Sequence, residues 1–394
     1  MNLLPKASGI RPRVACEIMP LGVVAARSAD AATPLAAVAK VALVEGAVAP
    51  GLKPGNIVDR VAVTAAIRAA LEQIGGRAHA HDANLTLVIP DSAVRVLLLD
   101  FEALPSRDSE ALPLVRFRLK KLLPFDSDEA IVTYQIMSTS KGVVRVLAVA
   151  IPRDVLSEYE MAVREAGFEP GCVLPSTLAC LAAVNDAEPT LLVNANSLGV
   201  TAAIVRGGVL LLHRSVDLQE HSVATATPVA GASTLPLVDL PLVDADETAG
   251  EWAAQEALPE HGRNPYADEA VDESAVQGIN SITGIKVPDV YLEGQGNVGA
   301  SDLQPVPLSA EIAQAVSVAA AYFEDTLATA PTEVLSAGSL GAERLARILK
   351  VSGVGEEDKL RVRELVATEE LLPEAVTARA PRAWLAGVVG ALRS

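Results

Sequence analysis

Between Pro189 and Val216 the chain reads PTLLVNANSLGVTAAIVRGGVLLLHRSV. Three apolar runs rich in Val, Leu, Ile and Thr are separated by two compact breaks, Asn194–Gly199 and Arg206-Gly207-Gly208. Such runs favour strands, and Gly-Gly supplies the positive φ that a tight hairpin needs. The stretch therefore reads as three short strands joined by two tight turns. Any fold for this chain must house that small meander.

The same unit is written once before, near residue 14. Val14–Ile18 and Val23–Arg27 pair around Met19-Pro20-Leu21-Gly22, and Lys40–Glu45 adds a third strand. A Pro/Gly-rich connection, Ala49–Asn56, leads to Asp59, which caps a helix carrying Val63, Ile67, Ala70 and Ile74 at helical spacing. Gly75-Gly76 ends it. Leu85–Pro90 and Val94–Leu104 flank Asp91-Ser92 and predict a strand and a hairpin. A basic helix, Leu112–Leu123, closes at Pro124-Phe125. Val132–Met137 and Val143–Ile151 predict a hairpin. Asp154 caps a helix with Val155, Tyr159, Val163 and Ala166 on one face, which Gly167 stops, and Pro175–Val184 begins another. Beyond residue 305 the periodicity gives a long helix at Leu308–Leu327, a strand at Glu333–Ala337, a turn at Gly338-Ser339, a helix at Gly341–Leu349 and a closing helix at Pro381–Arg393.

The chain has 394 residues and is half hydrophobic, enough for two or more packed domains. With aromatics at 3%, Ala, Val and Leu must fill the cores. A net charge of −17 argues against nucleic acid, whose phosphates are bound by clustered Lys and Arg. Glu220–Ala300 carries fourteen Asp/Glu against two Lys/Arg, about −12 of that total. This stretch also loses all periodicity, so 219–304 is expected to be mostly disordered. Three cysteines without a Cys-x-x-Cys pair suit reduced thiols and a cytoplasmic setting. No stretch reaches the ~18–20 apolar residues of a membrane span, and MNLLPKASGIRPR lacks a signal-peptide core.

Residues with catalytic chemistry are sparse. His79, His81, His213, His221 and His261 show no metal-binding spacing and are expected at the surface. Arg116, Arg118, Lys120 and Lys121 make a basic patch, either a solvated face or a dock for an acidic partner or anionic lipid.

The order of elements resembles the PilM family of type IV pilus assembly proteins, to which the cytoplasmic part of GspL from type II secretion is related. Leu119–Ile136 (LKKLLPFDSDEAIVTYQI), Leu147–Val184, Val209–Val216 with its Arg214, Glu311–Tyr322 and Leu385–Arg393 carry the likeness over about three-quarters of the chain. The resemblance implies an α/β, two-lobed actin-like ATPase fold of the ribonuclease H-like kind, with an inserted small α/β module and a long acidic insertion. It divides the chain into a tail (1–13), a first actin-like subdomain (14–84), the inserted module (85–175), a second lobe in two parts (176–218 and 305–394) and the acidic insertion (219–304).

The same resemblance points to a nucleotide cleft lined by Glu17, Gly22, Asn194, Asn196, Gly199, Gly338 and Ser339. Active members hold ATP with magnesium, using an Asp-x-Gly turn where this chain has Asn194 to Gly199. Their first phosphate loop lacks the proline found here at Pro20, which removes a backbone donor. Their Gly-Gly adenosine element is Ala337-Gly338-Ser339. The expectation is a non-enzymatic adaptor, cytoplasmic and peripheral to the inner membrane, that binds the N-terminal peptide of a PilN-type membrane partner. ATP would be a conformational effector rather than a fuel. The alternatives are an active ATPase forming filaments, or a type II secretion component. Asn2-Leu3-Leu4-Pro5 resembles the docking peptide of the PilN partner, which leaves two readings: the tail occupies its own groove or a neighbour's, or the four residues match by coincidence in a disordered tail.

Overall fold

The computed structural model describes residues 12–29, 35–78, 84–140, 142–184, 188–218, 308–354, 360–367 and 380–393. The expected acidic insertion, the tail through residue 11, and His79, His81, His221 and His261 lie outside the described residues.

Two five-stranded sheets repeat one plan. In the first, β1 (Val14–Met19), β2 (Gly22–Arg27) and β3 (Ala37–Ala42) form an antiparallel meander, and β4 (Asn84–Ile89) and β8 (Glu169–Pro175) add in parallel beside β1, giving the order β3-β2-β1-β4-β8. In the second, β9 (Thr190–Ala195), β10 (Gly199–Arg206) and β11 (Val209–Asp217) form the meander, and β12 (Glu333–Ala337) and β13 (Arg361–Glu364) add in parallel beside β9.

Each sheet is covered on its outer face by amphipathic helices. Helix α1 (Arg60–Gln73) starts where Asp59 Oδ1 accepts the Ala62 N–H at 2.9 Å. Its Val63, Ile67, Ala70 and Leu71 pack on Cys16 and Ile18 of β1, beside Tyr159 and Val163 of α3 (Arg153–Glu165). Each such fully buried large side chain is worth about 1.5–3 kcal/mol. Helices α5 (Leu308–Leu327) and α6 (Ala342–Val351) cover the second sheet through Ile312, Val316, Phe323 and Leu345.

A third, antiparallel sheet has the order β5-β7-β6, from β5 (Arg95–Phe101), β6 (Ala130–Ser140) and β7 (Val143–Pro152). Helix α2 (Asp108–Leu119) lays Ala111, Val115 and Leu119 on one face of it. The opposite face meets the second lobe, with Met137 and Leu147 packed in the same core as Val205 and Leu210.

Between the two large sheets lie α4 (Ser176–Leu181) and α7 (Ala386–Arg393), the latter entered through a 3-10 turn at Arg382–Leu385. Every residue of α4 is buried, Ser176 and Thr177 included, and so is every residue of α7 up to Leu392. Gly390 lets α7 rest directly on α4, since a Cβ there would collide with the Ala179 carbonyl. Trp384 seals the edge, its ring 3.4 Å from Lys40 Nζ.

Several expectations need correction. Leu85–Pro90 and Val94–Leu104 do not form a hairpin. Asp91–Ala93 is a 3-10 turn that passes the chain from the first sheet to the third, so β4 and β5 share no ladder. The inserted sheet accordingly runs from β5 to β7, inside the expected 85–175. Strands β4 and β8 belong to the first lobe, where β4 is buried on both faces as parallel strands are. The closing helix, expected with the second lobe, crosses back to pack on β1, β2 and β4. Strand β3 ends at Ala42, three residues before the expected Glu45. Helix α2 begins four residues before Leu112, with Asp108 and Glu110 in its favourable first turn. Pro152 rather than Asp154 occupies the N-cap position of α3.

Candidate functional site

The cleft between the two large sheets is built from the carboxyl ends of their central strands, where ligands of parallel α/β sheets sit. Glu17 lies on β1 between Ala15 and Met19, on the side facing α4 and α7. Asn194 occupies the matching place on β9, beside Leu192 on the face shared with the same core. Asp91 begins the 3-10 turn that ends β4. All three are buried.

These side chains are joined into one network. Ser176 Oγ donates to Glu17 Oε1 at 2.6 Å. Thr177 donates its backbone N–H to Asp91 Oδ1 at 3.0 Å and its hydroxyl to Asp91 Oδ2 at 2.5 Å. The Asn194 amide nitrogen lies 3.0 Å from Ser176 Oγ, 3.1 Å from Thr177 Oγ1 and 3.2 Å from Asp91 Oδ2. Ser176 and Thr177 open helix α4, so that helix is the bracket on which acids of the first lobe and the amide of the second meet. Asp91 accepts three hydrogen bonds. Burial, and then the Asp91 charge, push the Glu17 carboxyl up to about 7, against the lowering effect of Ser176. The same burial raises the thiols of Cys16 and Cys180 far above their ordinary range, so neither is a thiolate at neutral pH.

Five of the seven expected site residues come together here. Glu17, Asn194, Asn196, Gly199 and Gly338 line the cleft, with Asp91 and Ser176. Gly22 does not: it is buried at the start of β2, against the Val41 carbonyl and the Trp384 ring. Ser339 is not part of the lining either. The free space is about 20 Å³, room for one or two waters.

The turn amides are already engaged. Asn196 Oδ1 accepts from Leu198 N–H at 2.8 Å and from Gly199 N–H at 3.0 Å, an Asx-turn that closes the β9–β10 loop on itself. Gly199 has ordinary φ and an ordinary contact, 3.5 Å, where a Cβ would stand. Gly338, in contrast, is a required glycine. Its φ is +83°, and a Cβ would collide with the Ala195 carbonyl and lie 2.5 Å from Asn194 Oδ1. The close approach it permits is between two protein turns. On the opposite side, Gly387 of α7 sits directly on the Glu17 carboxylate for the same reason.

Sequence reading missed Asp91, Ser176 and Thr177. Asp91-Ser92 has the composition of a surface turn, and Ser-Thr after a proline is an ordinary helix start. The available signal was position: Asp91 follows directly on the apolar run of a parallel strand. His213, expected at the surface, is buried on β11 with Nε2 lacking a hydrogen-bond partner among the described residues. Burial lowers its pKa, opposed by the charge of Asp91. Arg116, assigned to a basic patch, is internal scaffolding. Its guanidinium donates to the Ser127 and Ala130 carbonyls at 2.5 and 3.2 Å.

A second concavity, a shallow groove of about 390 Å³, lies where three parts of the molecule meet. Loop residues Ala49, Leu52, Lys53 and Pro54 form one wall, Arg95 of β5 and Asp217 of β11 the other. The loop is rigidly held. Gly55, Asn56 and Ile57 donate their N–H groups to the Glu158 carboxylate, and buried Asn56 bonds to Gly51, Lys53 and Tyr159. Arg95 and Asp217 stand 4.0 Å apart. Partial burial pushes Arg95 down and Asp217 up, each opposed by the charge of the other.

No protein-family model matches the sequence, and no curated protein matches it. Among solved structures, the chain is similar to one of a PilM–PilN type IV pilus biogenesis complex, with a TM-score of 0.61 and 15% identity, covering 97% of this chain and 99% of that one. Ethanolamine utilization protein EutJ from Carboxydothermus hydrogenoformans is 10% identical over 100% of this chain and 91% of its own, with a TM-score of 0.39. The cytoplasmic domain of EpsL, an inner-membrane component of the type II secretion system of Vibrio cholerae, is 14% identical over 55% of this chain and 75% of its own, with a TM-score of 0.34. At these identities the likeness is one of fold. The two repeated sheets around a shared cleft, with a third sheet inserted, are the two-lobed actin-like ATPase fold.

Proposed function

We infer that this chain is a non-enzymatic adaptor of an inner-membrane assembly platform of the type IV pilus kind. In this reading it stays on the cytoplasmic side and holds the N-terminal peptide of a PilN-type membrane protein. The groove between the 49–55 loop, Arg95 and Asp217 carries the reading. It is pre-formed, sets Leu52 and Pro54 beside two cations, Lys53 and Arg95, and one acid, Asp217, and belongs to a fold shared with a chain solved in a PilM–PilN complex. Among the described residues no helix is long and apolar enough to cross a membrane.

The cleft supports an adaptor over an ATPase. Among the described residues its lining carries no Lys, Arg or His, and its two acids, Glu17 and Asp91, are already engaged by Ser176 and Thr177. The Leu198 and Gly199 amides are taken by Asn196. The residues present do not suit ATP with magnesium in this closed arrangement, and no step through that cofactor is assigned.

Titration calorimetry of the full chain tests the reading with a PilN-type N-terminal peptide and, separately, with ATP and magnesium. Peptide binding without nucleotide, lost on Arg95→Glu, is the expected result. Metal-dependent ATP turnover above background, with no peptide binding, would instead favour the filament-forming ATPase. Binding of a type II secretion partner in preference to the PilN-type peptide would move the chain to that system.

A further inference from the structure

Helix α2 is apolar on two opposite faces. Ala111, Val115 and Leu119 face the three-stranded sheet. On the other side Leu114 is 44% and Phe117 70% exposed, and Arg118 next to Phe117 is exposed as well. Lys121 adds an exposed cation in the turn that follows. Leu114, Phe117, Arg118 and Lys121 recur at i, i+3, i+4 and i+7, the spacing of one helical stripe.

The charges around this stripe are sorted in an uneven way. Glu110 pairs with Arg107 at 3.7 Å, and Asp108 accepts from Tyr134 Oη at 2.6 Å. Asp128 pairs with Lys120 at 3.7 Å, and Asp126 accepts the Asp128 N–H at 2.9 Å. Asp126, bonded only through that backbone N–H, and Glu129, at the foot of β6, have no ion pair among the described residues. Arg118 and Lys121 have no ion pair among them either. The stripe therefore presents two uncommitted cations beside two uncommitted apolar side chains, one of them a large aromatic.

We propose that this stripe docks on an anionic lipid surface, with Phe117 and Leu114 at the acyl boundary and Arg118 and Lys121 on headgroup phosphates. Its form favours a lipid over a polypeptide. The stripe stands on an exposed helix face, whereas a partner helix is normally received in a groove. A ring flanked by long-stemmed cations matches an interface that is apolar below and anionic above. The chain's negative charge does not by itself forbid this, because charges more than about 8 Å from the stripe are largely screened at physiological salt. The inference is independent of the cleft and of the peptide groove.

Co-sedimentation of the full chain with vesicles tests it, comparing phosphatidylglycerol-containing membranes with phosphatidylcholine alone. Binding should require the anionic lipid and weaken with salt. Arg118→Ala and Lys121→Ala should each lower it about fivefold, and Phe117→Ala about tenfold. All three side chains are exposed, so these variants should keep the fold. Val351→Ala, at an 88% exposed apolar residue on α6, should change nothing. Equal binding to neutral vesicles, no binding to either, or indifference to the stripe variants would each overturn the proposal. So would a photoreactive residue in place of Phe117 that labels a polypeptide, not lipid, in native membranes.

Discussion

The amide nitrogen of Asn194 stands 3.2 Å from the carboxylate of Asp91, and through that contact the second lobe holds the first. Asn194 has an acid's place but a donor's chemistry. An aspartate there would face Asp91 and Glu17 with no cation in the cleft lining. Asn194→Asp should therefore cost about 3–5 kcal/mol, as an uncompensated buried charge does. Asn194→Ala, which only removes donors, should cost about 1–3 kcal/mol. Chemical denaturation of both variants checks the order; an aspartate variant as stable as the parent would show that the cleft tolerates or neutralises a third acid.

Glu17 sets a pH dependence whose sign is opposite to that of a salt-bridged acid. Its folded pKa, about 7, lies above the ordinary 4.5, so the folded state holds this proton more tightly. Stability is therefore greatest below 4.5, falls as pH rises toward 7 and then levels off. At about 1.4 kcal/mol per pH unit, the whole change is on the order of 3 kcal/mol. His213 acts in the other direction: its lowered pKa means stability is lost as it takes up a proton on the acid side. Melting temperatures between pH 4.5 and about 7 should decline for the parent and stay flatter for Glu17→Gln. An unchanged slope in that variant would place the titration elsewhere.

Two glycines of the cleft should respond in opposite ways. Gly338→Ala meets both a positive φ and the Ala195 carbonyl, and should cost more than about 2 kcal/mol. Gly199→Ala enters ordinary backbone with one ordinary contact, to the Val216 carbonyl at 3.5 Å, and should be nearly neutral. A loop kept for phosphate would show the reverse in ligand binding, with Gly199→Ala destroying it. Parallel stability and nucleotide-binding measurements separate the two cases.

For the groove, Arg95→Glu should reduce affinity for a PilN-type peptide at least tenfold, through reversal of one charge and repulsion of Asp217. Removing residues 1–8, with their Leu3-Leu4-Pro5, should raise that affinity if the tail competes for the same groove. Unchanged affinity would exclude the competition.

Much of this fold could be read from side-chain periodicity. The long helix and the strand at 333–337 fall where the spacing puts them, because each has one continuous face to bury. What failed were elements whose local chemistry disagrees with their tertiary role. β8 begins Glu-Pro-Gly and looks like a loop, yet an edge strand tolerates proline and needs only one neighbour. β13, Arg-Val-Arg-Glu, looks like a solvated segment because its charges guard a sheet edge. In the cleft, Glu17, Asn194 and Gly338 were legible as turn residues at strand ends. Asp91, Ser176 and Thr177 were not, since the bonds that tie Ser176 and Thr177 to the acids span 86 to 159 positions of the chain.

Helix α7 has one further effect, on how this protein can be made. Its Val388, Val389 and Leu392 complete an interior begun at Ala15 and Met19. A chain still emerging from the ribosome, or a fragment stopped before residue 380, leaves that side of the first lobe open and greasy. Expression of the lobes as separate pieces should yield aggregates or chaperone clients, and co-expression of a 380–393 peptide is the simplest rescue to try.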